Sequence, residues 1–117
     1  MDYVKKIKIE PTFVQKGLKG FQYELQNKAV EVYFIDSEKG HDTYVVAKEC
    51  THLYYVIEGS GEWIIEGQKY YANQNDLIEI PTNKEFTYTG NMKLVLIMNP
   101  PFSPEDISVV GENENIR

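Results

Sequence analysis

Two histidines and a set of tyrosines are the side chains in this sequence whose chemistry best suits catalysis. Histidine ionises near neutral pH, so His52 is a candidate general acid or base. Tyr54 follows two residues later, and residues i and i+2 of a β-strand share one face. The pair is therefore a candidate for acid–base chemistry. The alternative is a hydrogen-bonded histidine of the protein interior that turns nothing over.

The second histidine forms part of a His41-Asp42 pair. Adjacent residues of an extended chain face opposite ways, so these two side chains are not expected to form a dyad with each other. Their position directly after Gly40 favours a structural or solvated role. His41 would still complete a site with His52 if the strands bring the two together.

Two further side chains with reactive groups are expected to be passive. Glu85 should face solvent, because alternation places it opposite Phe86. Cys50 is the single cysteine, and a reactive thiol needs a nearby positive charge or a helix N-terminus. Neither residue is therefore predicted to take part in catalysis.

The composition restricts the class of protein that carries these residues. The chain has 117 residues, of which 42% are hydrophobic and 26% charged, as expected for a single domain over residues 1–117. The net charge of −6 disfavours nucleic-acid binding. No apolar run approaches the ~20 residues of a spanning helix, and one cysteine allows no internal disulfide. We therefore expect a cytoplasmic protein without a membrane partner.

Short β-strands must position the candidate residues. Segments rich in β-branched and aromatic residues recur roughly every 8–12 residues, which is typical of an all-β sandwich or barrel. The expected strands are 29–35, 43–47, 52–57, 63–65, 70–72, 77–80, 86–88 and 94–98. An irregular N-terminal segment with lysines that protect a sheet edge precedes them, and 17–26 stays open between a helical turn and a strand. Prolines end the last strand near residue 100, 103–106 could begin a short helical turn, and 111–117 is expected to be a polar, frayed tail.

Two motifs lie within this β-rich region. Residues 52–61 read His-Leu-Tyr-Tyr-Val-Ile-Glu-Gly-Ser-Gly, and residues 75–83 read Asn-Asp-Leu-Ile-Glu-Ile-Pro-Thr-Asn. The pair, with its spacing, resembles the two motifs of the cupin superfamily, as found in small single-domain type-2 cupins, over about residues 41–102. The resemblance implies a double-stranded β-helix, which is a jelly-roll barrel. Asn75 and Asn83 replace glycines of the second motif, and asparagine tolerates the left-handed backbone such turns need.

The positions that hold the metal in cupins carry other residue types here. They fall on Val45 and Ala47 (or Val46 and Lys48 with the shorter spacing), His52 and Phe86. One histidine alone does not hold a divalent metal tightly. We therefore expect degenerate metal motifs, no bound metal and no cofactor.

The resemblance implies a pocket at the barrel mouth in place of the metal. Alternation along the strands predicts that this pocket is lined by His52, Tyr54, Val45, Ala47, Phe86 and Tyr88. A sugar-like or other small organic ligand, bound without turnover, is the favoured function. The alternatives are an isomerase or epimerase, because cupin enzymes of that kind pair histidine with tyrosine as His52 could with Tyr54 or Tyr88, and a structural module with a filled barrel. Small cupins often pair, so a homodimer is expected.

Overall fold

The computed structural model describes residues 3–116, which contain eleven β-strands and one short 3₁₀ helix. The strands are β1 (Phe13–Val14), β2 (Leu18–Tyr23), β3 (Glu31–Ser37), β4 (Thr43–Ala47), β5 (Thr51–Gly59), β6 (Gly61–Ile65), β7 (Gln68–Ala72), β8 (Leu77–Ile80), β9 (Phe86–Thr89), β10 (Met92–Asn99) and β11 (Ile107–Glu112). The 3₁₀ helix covers Glu114–Ile116. Within residues 3–116, no helix has the length and apolarity needed to cross a membrane.

The strands form two antiparallel sheets. The first has six strands in the order β1-β2-β3-β10-β5-β8, and the second has five in the order β11-β4-β9-β6-β7. Consecutive elements of the motif region, such as β4 and β5 or β8 and β9, lie in opposite sheets. Two facing antiparallel sheets whose successive strands alternate between them form a jelly roll, which confirms the predicted fold class.

Strand alternation places the core between the two sheets. In β10, Met92, Leu94, Leu96 and Met98 are buried, while the residues between them are less buried. This strand pairs with β3 on one side and β5 on the other, so it lies at the centre of its sheet. Burying one face of such a strand stabilises the fold by roughly 1.5–3 kcal/mol for each large apolar side chain.

Strand β5 has the alternation that the sequence predicts. His52, Tyr54 and Val56 are buried, whereas Tyr55 is exposed and its hydroxyl donates to Asn75 Oδ1 at 2.8 Å. The asparagines of the second motif adopt the left-handed backbone expected of them. Asn75 has φ of 76° and Asn83 has φ of 63°, so the substitutions preserve both turns.

The segments outside the motifs differ from the sequence-based expectation. Residues 3–9 lie outside the strands, and the undecided segment 17–26 contains β2. Residues 104–106 form a turn rather than a helix.

The C-terminal segment expected to be frayed is ordered as far as residue 116, and Arg117 lies outside the described residues. Strand β11 pairs with β4, and Asn113 and Ile116 are each 3% exposed. Pairing with a free sheet edge orders this polar stretch, and local composition does not reveal such a partner.

Candidate functional site

A cavity of about 470 Å³ opens between the two sheets. This volume lies within the ~300–1,000 Å³ typical of small-molecule sites. Side chains from β1, β2, β3, β4, β5, β9, β10 and β11 line it, together with residues of the N-terminal segment and of the loop after β10. A structural module with a filled barrel would have side chains packed across this space. The cavity contradicts that alternative function.

Five of the six residues predicted to line the pocket surround this cavity, and these are Val45, His52, Tyr54, Phe86 and Tyr88. Ala47 does not line it, contrary to expectation. It is 4% exposed, and its side chain is a single methyl group that packs within the apolar core.

Four aromatic rings form a continuous row along the cavity wall. The His52 and Tyr54 rings stack with centroids 6.2 Å apart, the Tyr54 and Tyr88 rings meet edge-on at 5.2 Å, and the Tyr88 and His41 rings lie 5.7 Å apart. The two histidines therefore stand at the two ends of one row. The fold brings His41 and His52 to a single cavity, which the sequence leaves undecided.

His41 is half-buried and lines the cavity. Its ring is therefore not fully solvated, and its hydrogen bonds to Tyr88 and Thr43 fit the structural role that the sequence also allows. Its amide donates to the carbonyl of Tyr88 at 2.9 Å, and this pairing turns the segment towards β9. Gly40 permits the turn, because its φ is 126° and a Cβ there would lie 2.3 Å from the Tyr88 carbonyl oxygen.

Asp42 faces away from His41, as alternation predicts, and has a structural role. Its carboxylate accepts hydrogen bonds from the amides of Lys16, at 2.6 Å, and Gly17, at 2.8 Å. Bonds between an ionised carboxylate and amides are stronger than neutral ones. Asp42 therefore fastens the N-terminal segment against the loop that carries His41.

The hydrogen bonding of His41 selects one neutral form of its ring. Nδ1 lies 2.7 Å from the carbonyl oxygen of Thr43 and 3.3 Å from the Thr43 amide nitrogen. The carbonyl can only accept and makes the shorter contact, so the geometry favours a proton on Nδ1. Burial lowers the pKa of His41, while the bond to Thr43 and the charge of Asp42 oppose that fall. At neutral pH the ring is therefore uncharged, and Nε2 carries the lone pair that can accept a proton.

His52 is also buried, with 5% of its surface exposed. Burial, followed by the charge of His41, lowers the pKa of His52 to about 4, with Asp106 opposing the shift. Its ring also packs edge-on against Phe86, with centroids 5.1 Å apart. His52 is consequently a neutral and weakly basic imidazole at pH 7.

The two tyrosines between the histidines keep their protons. Burial raises the pKa of both Tyr54 and Tyr88. The interaction between their neighbouring hydroxyls raises the pKa of Tyr54 further and opposes the rise in the pKa of Tyr88. The proton of the Tyr88 hydroxyl is therefore available to a ligand.

The residues at the cupin metal positions do not fit a metal. Val45, Ala47 and Phe86 are buried apolar side chains, and only His52 among the mapped positions has a donor atom. Across the described stretch, 3–116, no three side chains of His, Cys, Asp or Glu form a group that could hold a metal ion.

Glu85 and Cys50 lie where the sequence predicts. Glu85 is exposed, and its amide donates to Glu66 Oε2 at 2.9 Å. Cys50 is fully buried, and burial raises the pKa of its thiol to about 11, the charges of Asp106 and Glu31 adding to this and a bond with Asn99 opposing it. The Cys50 thiol therefore stays protonated at neutral pH.

Sequence reasoning missed the residues that cover the outer part of the cavity. Tyr33 and Phe102 line it, and both are held by Glu31. Its Oε1 accepts from the Tyr33 hydroxyl at 3.1 Å and from the Phe102 amide at 2.8 Å. The Pro100-Pro101 turn before Phe102 could have suggested a cover segment, but its carboxylate anchor is 71 residues away.

No protein-family model matches the chain. Among curated sequences, it is similar to the dual O-methyltransferase/FAD-dependent monooxygenase CTB3 of Cercospora beticola and of Cercospora nicotianae. Each is 29% identical over 87 residues, which is 74% of this chain. The chain spans only 10% of the length of these relatives.

Solved structures identify the class of fold. The cupin domain of Schizosaccharomyces pombe Cnp3 covers 80% of this chain and 67% of its own, with a TM-score of 0.65 and 10% identity. Ectoine synthase from P. lautus covers 86% and 81%, with a TM-score of 0.68 and 17% identity. The chain is thus a small cupin-fold domain, as its motifs predict.

One solved protein is similar over nearly the whole chain. This is Pac13, described as a unique nucleoside dehydratase, with 24% identity, a TM-score of 0.83, and coverage of 95% of this chain and 88% of that one. A His-to-Gln variant of the Streptomyces protein, solved with uridine, gives a TM-score of 0.89 at 23% identity and covers 98% and 96%. Two Tyr-to-Phe variants were also solved with uridine.

Proposed function

We propose that this protein binds a nucleoside-like small molecule in its cavity and catalyses acid–base elimination of water from it. His41 is the proposed base, and Tyr88, supported by Tyr54, is the proposed acid. One observation carries the proposal. The fold joins a neutral imidazole whose Nδ1 is already bound to Thr43 with two buried tyrosines whose rings meet edge-on, in a cavity of ligand size.

The similarity to the nucleoside dehydratase supports the choice of substrate class and reaction. It extends over nearly the whole length of both chains. The positions substituted in its three uridine-bound variants carry numbers one higher than His41, Tyr54 and Tyr88 of this chain. The same three residue types thus occur here, within one row of rings.

The proposed elimination uses only groups of this chain. Nε2 of His41 takes a proton from a carbon of the ligand, and the electrons of that bond form a carbon–carbon double bond. The bond from the neighbouring carbon to its hydroxyl breaks, and that hydroxyl leaves as water with the Tyr88 proton. The hydrogen bond from Tyr54 stabilises the charge that develops on the Tyr88 oxygen. Return of the proton from His41 to Tyr88 restores the starting state.

The proposed site works without a metal, since the mapped ligand positions are apolar. Metal analysis of the purified protein tests this part separately. We expect far less than one transition-metal ion per chain, and activity that survives prolonged treatment with a chelator. Near-stoichiometric metal that is needed for activity would overturn it.

Binding is measured first, with uridine as the probe. Trp63, the single tryptophan, stacks on Tyr88 with centroids 4.8 Å apart, so its fluorescence should report on ligand in the cavity. We expect saturable quenching or enhancement in the wild type and a weaker response in Tyr88→Phe. Tyr55→Phe is the matched control, because Tyr55 lies on the outer face of β5.

Turnover is then tested with a panel of nucleosides and their oxidised derivatives, scored by mass spectrometry for loss of one water. Loss of water in the wild type and not in His41→Gln supports the proposal. Saturable uridine binding without turnover of any compound would reduce the protein to the binding function alone. No binding and no turnover would reject the proposed function.

A second assignment places the base at His52, as the isomerase or epimerase alternative requires. The stacking of His52 on Tyr54 favours it. A base with a pKa of about 4 is a poor proton acceptor at neutral pH, but burial lowers the pKa of His41 as well. What favours His41 is the contact of its Nδ1 with the Thr43 carbonyl, which orients the ring with Nε2 free to accept a proton. Comparing His41→Gln with His52→Gln under one assay separates the two assignments.

We also propose that the protein is a cytoplasmic homodimer. Each sheet ends in an uncovered strand, β7 in one and β8 in the other, and Tyr70, Tyr71 and Leu77 on these strands are exposed. Such edges favour pairing with another chain. Light scattering during size-exclusion chromatography should give twice the chain mass, and a monomeric mass would contradict the dimer.

A further inference from the structure

Asn113 is a buried polar residue that lies next to the proposed site without lining the cavity. It follows β11 and is 3% exposed. Its amide donates to the carbonyl of Asp42 at 2.8 Å, so the end of β11 is joined to the loop that carries His41. A buried amide side chain needs hydrogen-bond partners for all its polar atoms, and those of Asn113 include the segments that carry His41 and Tyr88.

The carboxamide of Asn113 bonds to the backbone of both proposed catalytic residues. Nδ2 lies 3.0 Å from the carbonyl oxygen of His41, 3.2 Å from that of Tyr88 and 3.3 Å from Thr87 Oγ1. Thr87 Oγ1 itself donates to the His41 carbonyl at 3.1 Å. One side chain therefore spans the two strand segments that hold the base and the acid.

The orientation of this carboxamide is fixed by its other end. Oδ1 accepts a hydrogen bond from the amide of Asn115 at 3.2 Å. A flipped carboxamide would direct an acceptor at two carbonyl oxygens, which have no proton to donate. The Asn113 side chain is therefore specified as a donor towards His41 and Tyr88, and an isosteric acid cannot replace it.

We propose that Asn113 is a positioning residue that sets the separation and tilt of the His41 and Tyr88 rings. The inference rests on the proposed function for its catalytic meaning, although the positioning itself can be measured without any ligand. Removing the carboxamide leaves the direct bond from the His41 amide to the Tyr88 carbonyl in place. The fold should therefore survive while the geometry of the pair relaxes.

Histidine NMR provides the test, because the chain has two histidines at opposite ends of the row of rings. Ring signals are assigned with His52→Gln, then compared among wild type, Asn113→Ala and Asn113→Asp. We expect the His41 ring signals to shift and broaden in both Asn113 variants while the His52 signals keep their positions. Asn115→Ala is the matched control, since Asn115 is exposed and contributes its backbone amide to the network.

The following outcomes decide whether Asn113 has the positioning role. Unchanged His41 signals in a folded Asn113→Ala protein would overturn it. Equal shifts of both histidines would also overturn it, because they indicate a general loosening. If Asn113→Ala does not fold, the wild type itself is measured. Carboxamide protons of Asn113 that exchange slowly and show nuclear Overhauser contacts to Thr87 support the role, and fast exchange without such contacts rejects it.

Measurements of uridine binding distinguish the positioning role of Asn113 from the proposed function of the cavity. If wild-type protein binds uridine, Asn113→Ala should bind it about tenfold more weakly, and Asn115→Ala should bind it as the wild type does. If wild-type protein fails to bind uridine, the proposed function is in doubt but the NMR comparison still tests the positioning role. Unaltered uridine binding and turnover in Asn113→Ala, despite shifted His41 signals, would show that the positioning has no catalytic consequence.

Discussion

The two ends of the row of rings hold their histidines in different ways. His41 lies at the junction of a loop and β4, and hydrogen bonds from β9, from the tail after β11 and within its own segment hold the surrounding backbone. His52 lies within β5, where it pairs with Ile80 and Met98 and packs against aromatic rings. Hydrogen bonds orient the imidazole of His41, whereas burial among aromatic rings makes the imidazole of His52 a weak base.

The same contrast holds around the positions that correspond to the metal ligands of cupins. The mapped ligand positions lie on regular strands, where Val45 pairs with Phe86 across the sheet and apolar side chains pack well. The polar groups concentrate beside them, at a strand end where loops supply carbonyls and amides. A barrel with apolar residues at the mapped ligand positions therefore still presents polar groups to its cavity at the neighbouring edge.

The largest expected effect comes from removing the base. His41→Gln should lower the rate of water elimination by about 10²–10⁴-fold, the usual contribution of a positioned general base. His52→Gln should lower it by less than about tenfold, because His52 stays neutral and contributes mainly shape. The two rates are compared under one steady-state assay. Equal losses in the two variants would remove the distinction between the two ends.

Removing the proposed acid should cause the second-largest loss of activity. Tyr88→Phe keeps the stacking on Trp63 but removes the proton donor, so kcat should fall by about 10²-fold. Tyr54→Phe removes only the supporting hydrogen bond and should cost about tenfold, which corresponds to ~1.4 kcal/mol. Kinetics of both variants check the order, and a larger loss in Tyr54→Phe would exchange the two roles.

The weak basicity of His52 predicts a pH dependence of stability. The folded protein holds the pKa of His52 at about 4, below the ~6.5 of an unfolded histidine. The unfolded chain therefore binds the proton first, and stability is lost as the pH falls from about 6.5 towards 4. Between pH 7 and pH 5 this contribution is about 2 kcal/mol. Urea unfolding should show a correspondingly smaller loss in His52→Gln, and an identical loss would contradict the low pKa.

The smallest effects should come from replacing two matched aspartates, one near each end of the row of rings. Asp42 accepts two backbone amides beside His41, and Asp106 accepts those of Glu49, at 2.7 Å, and Cys50, at 3.0 Å, before β5. Replacing either with Asn should cost about 1–2 kcal/mol of unfolding free energy. Histidine NMR should then show a shift of His41 alone in Asp42→Asn and of His52 alone in Asp106→Asn. Shifts at both ends in either variant would indicate that the ends are coupled.

The sequence predicts those features of the molecule that depend on strand alternation and on the residues in turns. The burial of His52 and Tyr54, the outward Tyr55 and the left-handed asparagines all follow from residues near them in sequence. The place of His41 does not, because its partners lie in β9 and after β11. The ordered tail was missed for the same reason, since the polar Asn113 looks solvated until its partners across the sheet are known.

The network around His41 also bears on the order in which the molecule assembles. Asn113 and His41 are separated by 72 residues, and closing so long a loop costs entropy before any contact offsets it. The hairpin of β6 and β7 forms from near neighbours and needs no such closure. The proposed site should therefore be among the last parts of the protein to form on folding.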